Sequence, residues 1–305
     1  MNASTRVALL ERERRWRAPV ATACFAAVAL MIAAAVVAAS VGGGGEADIL
    51  REIEAHSSEV TIANALRAAG LILLLLPFVY LFRAAQGRSD RMRGQLIGLA
   101  VAAPVFLAAA TVFTGIATKE AASDFVEGSA RADLSAESAT RECRSERNED
   151  RTGFQEEFGN EETAISDCAD EKVANNAAEN ARSEASVGPA AIILELGGRL
   201  SVAIVLAYSC LWAMRTGLLT RFSGALGIAL AVSQFLIPVF LLVIFLWFAY
   251  FGLLVAGWVP GGRPPAWAAG EAVPWPSPGE RMAGVESADD EDVPKGGAKG
   301  DEPEA

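Results

Sequence analysis

Residues 18–45 read APVATACFAAVALMIAAAVVAASVGGGG, 28 positions without one Asp, Glu, Lys, Arg or His. A helix needs about 20 apolar residues to cross roughly 30 Å of hydrocarbon, so this stretch is long enough for a membrane crossing. It follows the basic run Arg12, Arg14, Arg15, Arg17. A cleaved signal peptide is the competing reading, with Ala38-Ala39-Ser40 as an acceptable cleavage site. The apolar core, however, exceeds the ~7–15 residues of a signal core, and further apolar stretches follow. A retained first span is the expectation.

Working outward, the second span is expected at about 62–82, with Pro77 inside it, and the third at about 95–118, with Pro104 inside it. The fourth, at about 189–214, contains Glu195 and Arg199. The uncharged run 222–262 would be about 60 Å long as one helix at about 1.5 Å per residue, twice the hydrocarbon thickness. Ser233, Gln234 and Pro238 offer a break, so a tight hairpin is expected, with a fifth span near 216–235 and a sixth near 239–258. The fold class is therefore an all-α polytopic transmembrane bundle of six spans. Five spans is the alternative, and it would put Arg263 and the Pro-rich tail on the opposite side.

The charges fall between these blocks. Of the net −11, the segment 119–186 carries −10, the loop 46–60 carries −4 and the end from Pro264 carries −7. Residues 1–17 and 83–93 each carry +3, and Arg215, Arg221 and Arg263 add to the basic side. Alternating basic and acidic connectors are what the positive-inside rule predicts. They point to a multi-pass plasma-membrane protein with both termini cytoplasmic and the acidic connectors outside. The chain divides into a basic cytoplasmic N-terminus (1–17), spans one to three (18–118), an acidic extracytoplasmic loop (119–187), spans four to six (188–259) and a tail (260–305). In 48–60, Ile49, Ile53 and Val60 stand near helical spacing, which suggests a short interfacial helix.

The loop is rich in Ala, Glu, Ser, Arg and Asn and poor in large apolar residues, so it should bury little core. Cys143 and Cys168 are placed symmetrically about Phe154 and Phe158, as they would be in the arms of an antiparallel helical hairpin. One arm would continue the third span and the other would lead into the fourth. A disulfide across the arms suits an oxidising compartment. Free thiols in a disordered loop are the competing expectation. Cys24 and Cys210 lie within spans and read as packing or lipid-facing residues.

Phosphate loops, paired zinc ligands, nucleophile elbows and dinucleotide fingerprints are missing from the sequence. The one His, His56, sits between Glu54 and Glu59 and reads as a solvated loop residue. No catalytic residue, cofactor, metal or nucleic acid is therefore expected.

The charged residues inside the spans carry more information, since intramembrane ionisable groups are costly and often functional. Arg67 precedes Arg83 by 16 residues and Arg199 precedes Arg215 by 16, which sets both at a matched depth near the outer boundary. Glu195 lies one turn from Arg199 in the favourable orientation for a helix pair. Gly197 and Gly198 would admit a close neighbour. Two readings follow. In one, Arg67 and Arg199 snorkel to the interface, and the shallow depth favours this. In the other, Arg67, Glu195 and Arg199 line an outward-facing pocket between the second and fourth spans. Pro77 and Pro104 resemble the breaks of transporter helices, but no ionisable residue accompanies them at mid-depth.

The tail contains Gly261-Gly262-Arg263-Pro264-Pro265-Ala266-Trp267 and Pro274-Trp275-Pro276. Trp258 reads as an interface anchor, and Trp267 and Trp275 as residues lying against headgroups or helix ends. From Glu286 the tail is acidic and expected to be disordered. With Leu218-Leu219-Thr220-Arg221-Phe222, the GGRPPAW…PWP pattern resembles a group of uncharacterised multi-span proteins of high-GC bacteria. The resemblance covers the last third of the chain and implies topology, not an activity. The sequence thus leaves three roles open. These are a non-enzymatic membrane protein whose partner is the bilayer, a transporter or small-solute binder using the charged trio, and an envelope protein meeting a partner through 119–187.

Overall fold

The computed structural model describes residues 3–39, 42, 44–128, 131–149, 163–234, 240–260 and 262–275, and no strand occurs among them. The helices are α1 (Ala3–Ala38), α2 (Glu46–Ala55), α3 (Ser57–Leu73), α4 (Leu75–Gln86), α5 (Ile97–Val126) and α6 (Ala136–Glu149). They continue as α7 (Ala164–Glu184), α8 (Gly188–Arg215), α9 (Arg221–Ser233), α10 (Phe240–Ala256) and the single turn α11 (Ala266–Ala269). Four stretches, Ser4–Ala38, Ser57–Gln86, Gly94–Val126 and Gly188–Arg215, are long and apolar enough to cross a membrane.

The faces of α8 show what solvent the bundle suits. Ile192, Ile193, Leu196, Leu200 and Ile204 are exposed, while Gly198, Ser201, Val202, Val205 and Ser209 are buried. Large apolar residues outside and small ones inside reverse the arrangement expected in water and match helices packed in lipid. Gly198 is where this matters most. A Cβ there would meet the Leu107 side chain at 2.8 Å and its backbone nitrogen at 3.0 Å, so α5 and α8 touch through it. Gly197 has no such neighbour, its nearest being Phe106 at 3.9 Å. Cys24 and Cys210 are both fully buried packing residues.

Pro77 breaks the second span. Its ring displaces the carbonyl four residues back and it has no N–H to donate there, and that carbonyl belongs to Leu73, where α3 ends. Pro104 and Pro19 lie inside α5 and α1 without interrupting them. Because of the break, the two halves pack differently. α4 rests on α1, α5 and α8, whereas α3 rests on α1 and α5. The ring of helices is completed by α9 on α8, α10 on α9 and α1 on α10. Phe78, Leu81, Phe82, Leu206, Phe248 and Phe251 fill its centre.

The stretches where the fifth and sixth spans were expected hold α9 and α10, apolar helices that over the described residues are shorter than the four long enough to cross a membrane. Their 13 and 17 residues make about 20 and 26 Å of helix, and 235–239 lie outside the described residues. The fifth begins at Arg221 rather than at 216 because Thr216–Thr220 forms a turn. The Leu218 amide donates to Ala213 O at 2.8 Å, and the Thr220 hydroxyl accepts from the Ser223 amide at 3.1 Å.

Four distant segments meet at one end of the ring. Arg88, after α4, forms a two-pronged ion pair with Glu13 of α1, one prong being Nη2–Oε2 at 2.9 Å. Arg88 also donates to Ala266 O from Nε at 3.1 Å and from Nη2 at 3.0 Å, and to Ala84 O at 3.0 Å. Its side chain is 0% exposed and that of Glu13 is 8% exposed. Trp267 covers the pair. It lies 5.5 Å from the Arg88 guanidinium and 4.9 Å from that of Arg263, and it stacks on Tyr80 at 5.7 Å. Trp267 and Trp275 donate to the Leu218 and Leu219 carbonyls, each at 2.9 Å. Both Trp residues thus lie against helix ends, one of the two placements expected. Gly217, at φ +75°, leaves room for Val273 O, which an added Cβ would approach to 1.9 Å. The start of α1, the α4–α5 connector, the α8–α9 turn and the segment after α10 therefore share one end. Trp258 is largely exposed there and stacks on Phe25 at 6.1 Å. The acidic tail from Glu286 lies outside the described residues.

At the other end, α2, α6 and α7 form a small head. The helix expected to lie in the interface, α2, instead buries Ala47, Leu50 and Ile53 against Ala121 and Ala122 of α5 and Ala178 and Ala181 of α7. Ile49 and Val60, read as part of its apolar face, pack at the edge of that cluster. Alanines let these helices approach closely without large side chains, and Asn side chains do the rest. Asn175 accepts from the Ala47 amide at 3.0 Å, and Asn176 accepts from Asp133 and Leu134 at 2.8 and 3.0 Å. A disulfide joins Cys143 of α6 to Cys168 of α7, with Cα atoms 6.1 Å apart. Lys172 bonds Glu146 at 2.7 Å, and that bond raises its pKa. α5 runs on to Val126, eight residues past the expected span end. The first arm is a separate helix, and the residues joining α6 to α7 lie outside those described.

Candidate functional site

The charged trio lies where the Pro77 break opens the bundle. α4 meets α8, but α3 diverges from it, and α5 forms the back wall between them. The resulting cavity, about 170 Å³, is lined by Asn64, Arg67 and Leu71 of α3, by Leu107, Ala110, Thr111 and Thr114 of α5, and by Glu195 and Arg199 of α8. The structure thus brings Arg67, Glu195 and Arg199 to one cavity, with the third span contributing a wall the sequence reading left out. Leu71 and Leu107 form its floor. They also line a small apolar void beneath, with Leu74, Phe78, Pro104, Val202, Ile244 and Phe245.

The three charges are held unequally. Arg199 pairs with Glu195 along α8, their side chains 23% and 42% exposed. Among the described residues, Arg67 has only a long contact to Asn64 Oδ1 at 3.5 Å, at the outer limit for a hydrogen bond. All three residues are half-buried. The backbone of Arg199 is fixed from behind, because buried Gln234 at the end of α9 donates to its carbonyl at 3.2 Å. Two guanidiniums and one carboxylate leave the cavity one positive charge in excess. Thr111 and Thr114 add hydroxyls, although Thr111 donates its own to Leu107 O at 2.9 Å. Such a cavity suits a small anion. Among the described residues, no nucleophile with an adjacent base lines it.

Sequence reasoning missed Asn64, Thr111, Thr114 and Gln234. The Thr residues were visible as a pair three apart on the third span, but uncharged hydroxyls are ordinary in membrane helices. Elsewhere, His56 ends α2 with Nδ1 3.1 Å from Glu52 O, a capping contact. Cys143, Cys168 and Glu146 bring possible ligand atoms together, but the disulfide uses both thiols. Comparison of the chain with family models, curated proteins and solved structures finds no match.

Proposed function

We propose that this chain is a non-enzymatic, six-span plasma-membrane protein with both termini cytoplasmic, and that it binds a small anionic solute in an outward-facing vestibule. The observation that carries the proposal is the convergence of Arg67, Glu195 and Arg199 on one cavity with Thr111 and Thr114. A volume of about 170 Å³ lies below the ~300 Å³ at which drug-sized pockets begin, so the solute is small. A carboxylate or phosphate would lie between the two guanidiniums, and an ammonium on the same molecule would share Glu195 with Arg199.

The meeting of the α8–α9 turn and the segment after α10 at one end supports an even number of passages by α9 and α10. The basic residues Arg12, Arg14, Arg83, Arg91 and Arg215 cluster at that end, on the helix ends and the α4–α5 connector, which supports a cytoplasmic assignment for it. The test is calorimetric titration of the purified protein with small carboxylates, amino acids and phosphate. Binding by one class, weakened tenfold or more by Arg67→Ala and by Arg199→Ala, is the expected result. Equal binding by wild type and both variants would remove the site.

A further inference from the structure

A second groove lies on the outside of the bundle, between α1 and α4, near the end that holds the Arg88–Glu13 pair. It has a volume of about 190 Å³ and is lined by Arg12, Trp16 and Val20 of α1 and by Leu76, Val79 and Arg83 of α4, among others. Each set is a stripe along one helix face, at spacings of four or so residues. The helices run in opposite directions here, so the stripes run antiparallel and both guanidiniums come at the same end of the groove. Arg12 to Val20 and Leu75 to Arg83 are each about 12 Å of helix. The groove therefore has a doubly cationic mouth and an apolar trough about two turns deep.

The charges at the mouth are available. Arg12 and Arg83 are both exposed, and neither has an ion-pair partner among the described residues. Glu13, which also lines the groove, is saturated by Arg88 and leaves their charge uncancelled. Trp16 stands 45% exposed beside them, an indole of the kind that settles at the headgroup level. A free inorganic anion would use the mouth and leave the trough empty, whereas a neutral lipid would use the trough and leave two guanidiniums unpaired. We infer that this groove is a binding site for one anionic phospholipid, its phosphate held between Arg12 and Arg83, its headgroup against Trp16 and one acyl chain along Val20, Leu76 and Val79. The site depends on the bundle lying in a bilayer and is independent of the vestibule, which opens at the other end on α3, α5 and α8.

Native mass spectrometry of the full-length protein, released from micelles containing equal amounts of phosphatidylglycerol and phosphatidylethanolamine, tests this. The expected spectrum has one tightly retained phosphatidylglycerol, at least fivefold over phosphatidylethanolamine. Arg12→Ala/Arg83→Ala should abolish that preference and Arg12→Lys/Arg83→Lys should largely keep it. Arg131→Ala/Arg141→Ala, in the head, should leave it intact. Phosphate at millimolar concentration should not displace the lipid. Equal retention of the two lipids by wild type would overturn the proposal, as would an undiminished preference in the double alanine variant. Displacement by phosphate would reassign the mouth to a free anion and overturn it as well.

Discussion

Replacing Arg88 by Met keeps most of the side-chain volume and removes the charge. The structure sets the size of the effect. Arg88 is 0% exposed and Glu13 8%, so the variant strands a carboxylate that water scarcely reaches. It also leaves Ala266 O without the two guanidinium bonds it accepts. Stranding one member of a buried pair costs about 3–5 kcal/mol. Glu13→Gln should cost less, about 1.5–3 kcal/mol, because Arg88 keeps its bonds to Ala84 O and Ala266 O. Replacing both, as Arg88→Met/Glu13→Gln, removes both charges and should cost clearly less than the sum of the two singles. The assay is unfolding in mixed detergent micelles, run as a double-mutant cycle and followed by tryptophan fluorescence. If Arg88→Met lies within about 1 kcal/mol of wild type, or if the double variant is no better than the sum of the singles, the pair is not a buried, coupled unit. The account of this end of the bundle would then be wrong.

The pair at the other end should behave oppositely. Arg199 is already 23% exposed with Glu195 in place, at the mouth of an open cavity, so Glu195→Ala should register only about 0.2–0.5 kcal/mol in the same unfolding assay. Gly198→Val puts side-chain carbon within 3.0 Å of the Leu107 backbone nitrogen, and the resulting shift of α5 should destabilise by about 1–3 kcal/mol. Cys143→Ser/Cys168→Ser opens a loop of 25 residues and should cost the head about 2–4 kcal/mol. Limited proteolysis would read this as faster cleavage within 131–184, with the membrane helices protected. Reporter fusions at Ser89 and after Trp275 should both be active only inside, and an external signal from the second would refute the even count.

Much of this arrangement was legible because bilayer physics acts locally. A run of 28 residues without formal charge, or a Pro inside a span, carries its consequence within its own few turns. The break at Leu73 falls four residues before Pro77, whereas Pro104 and Pro19 leave their helices continuous. The trio was legible as three unusual charges, and the 16-residue offsets put Arg67 and Arg199 at matched depth. That α5 would form the back wall was not, because Thr111 and Thr114 look ordinary in sequence. The Arg88–Glu13 pair was hidden for a different reason. Both residues sit in basic segments that read as solvated, and they are 75 positions apart, so no spacing rule links them. The head was underestimated because burial was reckoned in large side chains, whereas Ala47, Ala121, Ala122, Ala178 and Ala181 pack by close approach. The start of α9 at Arg221 rather than at 216 was also missed, although Arg215 and Arg221 bracket the Thr216–Thr220 turn.

The tail contact has a consequence for the order in which the molecule is completed. Glu13 and Arg88 are made early, yet the carbonyl that satisfies Arg88 and the indole that covers it belong to Ala266 and Trp267. Until the ribosome has passed those positions, every helix of the ring can be in place while its most buried ion pair stays open to water. Closure therefore comes last, and it needs a segment that crosses nothing. A chain halted anywhere between Ala256 and Ala266 would hold every helix through α10 and still lack the Ala266 carbonyl and the Trp267 indole over that pair.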